Sequence, residues 1–107
     1  MARAILTPRA GRELVEAAAW IAKDSRIAAK GLRRAVDRAL ELIGQHPDIG
    51  VHRPELARDP VRFHLLSGYP YLLVYLSDRR PPAIVRLIHG ARDLEQVLSG
   101  SVPRKPD

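Results

Sequence analysis

Two histidines and three arginines in the C-terminal half of the chain have the types and spacing of a phosphodiester-cleaving set. Arg62 and His64 stand two apart in VRFHLL, and Arg86, His89 and Arg92 follow in RLIHGARDL. Metal-free RNA cleavage needs a base for the 2′-hydroxyl proton, an acid for the leaving oxygen and a cation beside the charged phosphorane. An imidazole supplies the acid or base near neutral pH, and a guanidinium supplies the cation. The same residues equally suit a docking surface or a hydrogen-bonded structural corner. In an extended strand, Arg62 and His64 share one face, whereas Arg86 and His89 fall on opposite faces. No metal site is expected. His46, His52, His64 and His89 lack the i,i+3 or i,i+4 spacing of a ligand pair, Asp48 beside His46 fits a turn, and the chain has no cysteine. No phosphate-binding glycine loop or nucleophile elbow is present, and no cofactor is implied.

The elements that must position these side chains can be read from the hydrophobic pattern. RAILT (3–7) suits a short first strand. Thr7 followed by Pro8 is a helix start, with threonine as N-cap and proline in the first turn. Ala10, Leu14, Ala17, Ala18 and Ile21 then form one apolar stripe, with Trp20 at its edge. Ser25 starts a second helix, whose expected stripe is Ala28, Leu32, Ala35, Val36, Ala39, Leu42 and Ile43. Arg33 and Asp37 are spaced for a surface ion pair, and Gly44 and Pro47 are expected to stop the helix. So short a connection predicts an antiparallel helical hairpin. Residues 44–60 are a long loop rich in Pro, Gly, Asp and His, of the kind that is usually functional or mobile.

From residue 61 the period changes to that of strands. VRFHLL alternates, YLLVYL (71–76) is a continuous run suited to a central strand covered on both faces, and AIVRLIH (83–89) follows after a second turn. Hairpin-length connections make these an antiparallel meander. The predicted fold is α+β, a two-layer β-α-α-β-β-β arrangement with the helical hairpin packed on an antiparallel sheet. Residues 91–98 suit a short helix in which Asp93 caps and Leu94, Val97 and Leu98 pack. The expected organisation is one domain over 1–98 and a flexible polar tail over 99–107.

With 107 residues the chain has room for one small domain, and its 46% apolar content permits a real core. It carries a net charge of +6, and 15 of its 18 basic residues are arginine. Such a field favours an anionic partner. The charges are scattered rather than clustered, so direct nucleic-acid binding is not expected from them. No signal-peptide pattern or 18-residue apolar run appears. The expectation is a cytoplasmic protein with no membrane partner.

The segments LTPRAGREL, IAKDSRIAAKGL, HPDIGVHRPEL, VRFHLLSGYPYLLVYL and RLIHGARDLEQVL, in this order over residues 3–98, resemble the ParE branch of the RelE/ParE toxins of bacterial type II toxin–antitoxin modules. The resemblance implies a toxin neutralised by a ParD-like antitoxin in a hetero-oligomer. It also implies DNA gyrase as a target inhibited by protein–protein binding, with no catalytic residues of its own. The RelE branch instead implies a ribosome-dependent mRNA endonuclease. In that case Arg62, Arg86, His89 and Arg92 are the catalytic candidates. A non-toxic, partner-binding member is the third reading. RelE-like chains place a basic cluster and often a tyrosine near the last strand. Here no tyrosine follows Tyr75, and Lys105 is the lysine found beyond it. The ending HGARDL favours the ParE side. Arg86, His89 and Arg92 are then expected to contact the target. Trp20, Arg34 and Arg38 on the helical hairpin are expected to anchor the antitoxin, since Trp and Arg dominate interface hot spots.

Overall fold

The computed structural model describes residues 3–90. The elements run β1 (Ile5–Leu6), α1 (Pro8–Ala22), α2 (Arg26–Gln45), β2 (Val61–Leu65), β3 (Tyr71–Leu76) and β4 (Ala83–His89). The expected segment 91–98 and the tail 99–107 lie outside the described residues.

Both helix starts follow from local chemistry. Thr7 is extended and its hydroxyl accepts from the Ala10 N–H at 3.3 Å, while donating to the Ile84 carbonyl at 2.9 Å. One side chain therefore caps α1 and fastens it to β4. The Ser25 hydroxyl accepts from the Ala28 N–H at 3.0 Å and caps α2. At the far end α2 passes through Gly44 to Gln45, so Pro47 rather than the glycine ends it.

The sheet order is β1-β4-β3-β2. β2, β3 and β4 form the expected antiparallel meander with β3 central. β1 joins β4 in parallel, Ile5 opposite Ala83 and Leu6 opposite Ile84, so the sheet is mixed rather than purely antiparallel. The physical reason is the crossover: the helical hairpin carries the chain from β1 across one face before β2 begins.

The helices bury Leu14, Ala18, Leu32, Val36, Leu40 and Ile43 against Leu73, Tyr75, Ile84 and Leu87. The α2 stripe is rotated slightly from expectation. Ala29 and Leu40 are buried, while Ala28 is half-buried and Leu42 is exposed on its outer margin. Asp37 meets Arg3 at 3.3 Å, not Arg33 as its spacing suggested, because the start of the chain passes beside α2.

The second sheet face is covered by the long loop. Leu56 and Ala57 pack on Val61, Phe63, Val74 and Ile88 in a separate apolar cluster. Val51 exchanges both backbone hydrogen bonds with Phe63, at 2.8 and 2.9 Å, on the outer edge of β2. The loop is thus a structural layer, which explains its length. A bulge between Val74 and Tyr75 in the β3–β4 register leaves Val85 as the extra residue of β4.

Candidate functional site

Of the cationic side chains singled out by spacing, Arg62 and Arg86 do not converge. Arg86 projects from β4 and is 5% exposed. Its Nε donates to both oxygens of Glu13, at 3.2 and 2.9 Å, and its Nη2 lies 2.8 Å from Glu13 Oε2. Glu13 also accepts the Leu87 backbone N–H at 2.9 Å. β1 pairs with β4 through Ala83 and Ile84 alone, so the β4 edge beyond them has no strand beside it. The Glu13 carboxylate takes the place of that strand and neutralises the neighbouring guanidinium.

Arg62 is likewise committed. Its Nη1 donates to the carbonyls of Asp48 at 3.1 Å and Gly50 at 2.8 Å, and Nη2 lies 3.6 Å from the Asp48 carboxylate. Beside it the fully buried Tyr75 hydroxyl donates to the Pro47 carbonyl at 2.7 Å and accepts the Gly50 N–H at 2.9 Å. Burial pushes the Tyr75 phenol above its ordinary pKa, and the Gly50 hydrogen bond and the Arg62 charge partly offset this. Gly50 is required here: a Cβ would stand 2.7 Å from both Cε1 and the hydroxyl of Tyr75. Together Tyr75 and Arg62 lock residues 47–50 to the sheet.

His89 stands edge-on to Tyr71, ring centres 5.4 Å apart. It is cross-strand neighbour to Tyr71, whereas Arg86 opposes Val74, so the regular register between them keeps the two residues on alternate faces. His64 lies on β2 at the margin of α2, where burial pushes its imidazole below the usual range. It shares a cleft of about 200 Å³ with Arg38, Leu42, Leu66 and Ser67. Arg92 lies outside the described residues. Among the described residues no group of three or more His, Asp or Glu side chains is placed to hold a metal ion. None of the described helices is long and apolar enough to cross a membrane.

The outer face of the helical hairpin offers a different kind of surface. Val15, Ala18, Ala19, Ala22 and Ala29 floor an open groove between α1 and α2, and Arg26, Lys30 and Arg33 rim it. Arg12 and Glu16 continue it along α1. Alanines at the helix contact let the two backbones approach and leave a shallow apolar trough. Trp20 is 59% exposed nearby, with the Lys23 ammonium 4.6 Å from its ring centre. Of the three side chains expected to anchor a partner, Trp20 stands near the hairpin tip. Arg34 and Arg38 are exposed on α2, and Arg38 turns to the His64 cleft. The groove cations Arg26, Lys30 and Arg33 were missed by the sequence reading. Their signal is a basic residue at every third or fourth position of α2.

A family model described as the ParE toxin of the type II toxin–antitoxin system parDE matches residues 4–94. A solved structure, a chromosomal ParDE toxin–antitoxin system from P. aeruginosa, is similar with a TM-score of 0.66 at 17% identity, covering 83% of this chain and 96% of that one. At that identity the likeness shows the fold. No curated protein sequence matches the chain. The match across nearly all the described residues shows the family: this chain belongs to the ParE toxins of type II toxin–antitoxin systems.

Proposed function

We propose that the protein inhibits DNA gyrase by binding it, breaks no covalent bond itself, and is neutralised by a ParD-like antitoxin. The observation that carries this reading is the ParE match over residues 4–94. The geometry supports it in one respect. Arg86, one of the cations that an RNA-cleaving site would use, is buried and neutralised by Glu13 instead of facing a substrate.

The antitoxin's docking surface on this reading is the α1–α2 groove. An amphipathic helix lays its apolar side on the alanine floor and its acidic side against Arg26, Lys30 and Arg33. Arg34 and Trp20 extend that surface, and Arg38 offers a contact on the β2 side of α2. His89 and the residues after it are the proposed target contacts, and the chain acts in the cytoplasm, where gyrase works. Induced expression tests the proposal. Filamentation with induction of the DNA-damage response is expected, whereas rapid translation arrest with cut transcripts would reject it for the mRNA endonuclease reading.

A further inference from the structure

The cleft between α2 and the end of β2 is a site that the fold does not use. Its floor is apolar, formed by Ala35, Ala39, Leu42 and Leu66. Three polar groups stand on its walls, the exposed Arg38 guanidinium, the half-buried His64 imidazole and the exposed Ser67 hydroxyl. None of the three side chains makes a hydrogen bond or ion pair with any other described residue. The arginine that projects from β2, Arg62, is spent on two loop carbonyls. Burial costs His64 solvation without a compensating bond. Structural histidines of a packed domain ordinarily have a partner. A cation and a nitrogen base left unsatisfied over an apolar floor match one chemistry: a carboxylate on a short aliphatic stem. The Arg38 fork receives the two oxygens, the imidazole donates once protonated, and the methylenes cover Leu42 and Leu66. The volume of about 200 Å³ is ample for one such side chain.

We propose that this cleft is an anchor pocket for a glutamate or aspartate side chain projecting from a protein partner, distinct from the α1–α2 groove. It rests on the reading of the chain as a toxin held by an acidic antitoxin, and assigns His64 a place in that recognition. The pocket lies on the β2 side of α2, the groove on the α1 side, so a partner that fills both embraces α2.

The test is an NMR titration of the intact protein with the tripeptide acetyl-Leu-Glu-Leu-amide. Acetyl-Leu-Gln-Leu-amide and inorganic phosphate are the comparison probes. A saturable shift is expected at the Arg38 Nε–H and the His64 Cε1–H with the glutamate peptide. The glutamine peptide should bind at least tenfold more weakly, R38Q should abolish the shift read at His64, and H64Q should weaken several-fold the binding read at Arg38. Absence of a saturable shift, equal binding of both peptides, or unchanged binding by R38Q would overturn the pocket. Phosphate binding as tightly as the glutamate peptide would overturn it too, showing a general anion site. The titration needs no antitoxin. The pocket and the antitoxin reading can therefore fail separately: an antitoxin that binds R38Q and H64Q with full affinity removes the assignment to that partner and leaves the peptide result standing.

Discussion

Glu13 on α1 holds Arg86 on β4 through two nitrogens, Nε and Nη2, and the same carboxylate caps the Leu87 N–H at 2.9 Å where β4 has lost its neighbouring strand. The pair joins the helical layer to the sheet across 73 positions of sequence. Removing one member strands the other charge in a site where the side chains are 7% and 18% exposed. Glu13→Ala or Arg86→Ala is therefore expected to cost about 3–5 kcal/mol in urea unfolding, whereas the apolar pair Glu13→Leu/Arg86→Met recovers much of it. Additive losses in the cycle of Glu13→Ala, Arg86→Ala and the double Glu13→Ala/Arg86→Ala would show that the pair does not act as a unit.

The loop layer gives a second prediction. Tyr75→Phe leaves the Gly50 N–H and the Pro47 carbonyl without their buried partner. The expected loss is about 1–3 kcal/mol, with the Gly50 amide exchanging faster in hydrogen-exchange measurements. Gly50→Ala drives a methyl into the Tyr75 ring and should destabilise by a similar ~1–3 kcal/mol. Wild-type exchange at Gly50 in the Tyr75→Phe variant would contradict the anchoring role.

His64 sets a pH dependence. Its folded-state pKa lies below the ordinary value of 6.5, because burial disfavours the imidazolium. Above the unfolded pKa the imidazole is neutral in both states and stability is full. As pH falls through that value the unfolded chain takes up the proton first, so stability drops until the folded pKa is passed. His64→Gln should flatten the stability profile between about pH 7 and 5. An unchanged slope in chemical denaturation would place the proton uptake elsewhere.

Those three regions show what the sequence disclosed and what it hid. The helix caps at Thr7 and Ser25 were legible because a cap is a three-residue relationship. The meander was legible because alternation and turn residues are local. The parallel β1–β4 pairing was not, since two residues carry no period and the partner lies across the whole helical hairpin. YLLVYL read as purely apolar, yet Tyr75 is the polar anchor of a distant loop. The available signal was that a tyrosine buried in a central strand must find a partner for its hydroxyl. Arg86 read as a catalytic or target-contacting cation, and its pairing was hidden because Glu13 belongs to an unrelated element. The apolar stripes of the helical hairpin were legible, but the rotation of α2 and the groove rimmed by Arg26, Lys30 and Arg33 were not.

Reversing charge on the groove should affect binding and spare the fold. Lys30→Glu with Arg33→Glu is expected to weaken the antitoxin at least tenfold by calorimetry, with a melting temperature within a few degrees of wild type. Arg34→Glu with Arg38→Glu should weaken it by a smaller factor. Full affinity in the first variant would remove the groove from the interface.

Gyrase inhibition is the central claim, and DNA supercoiling by purified gyrase in the presence of the purified toxin tests it most directly. The expected result is dose-dependent loss of supercoiling, reversed by the cognate antitoxin, with ribosome-bound mRNA left intact in a parallel reaction. Unimpaired supercoiling at toxin excess, together with cut mRNA, would contradict it.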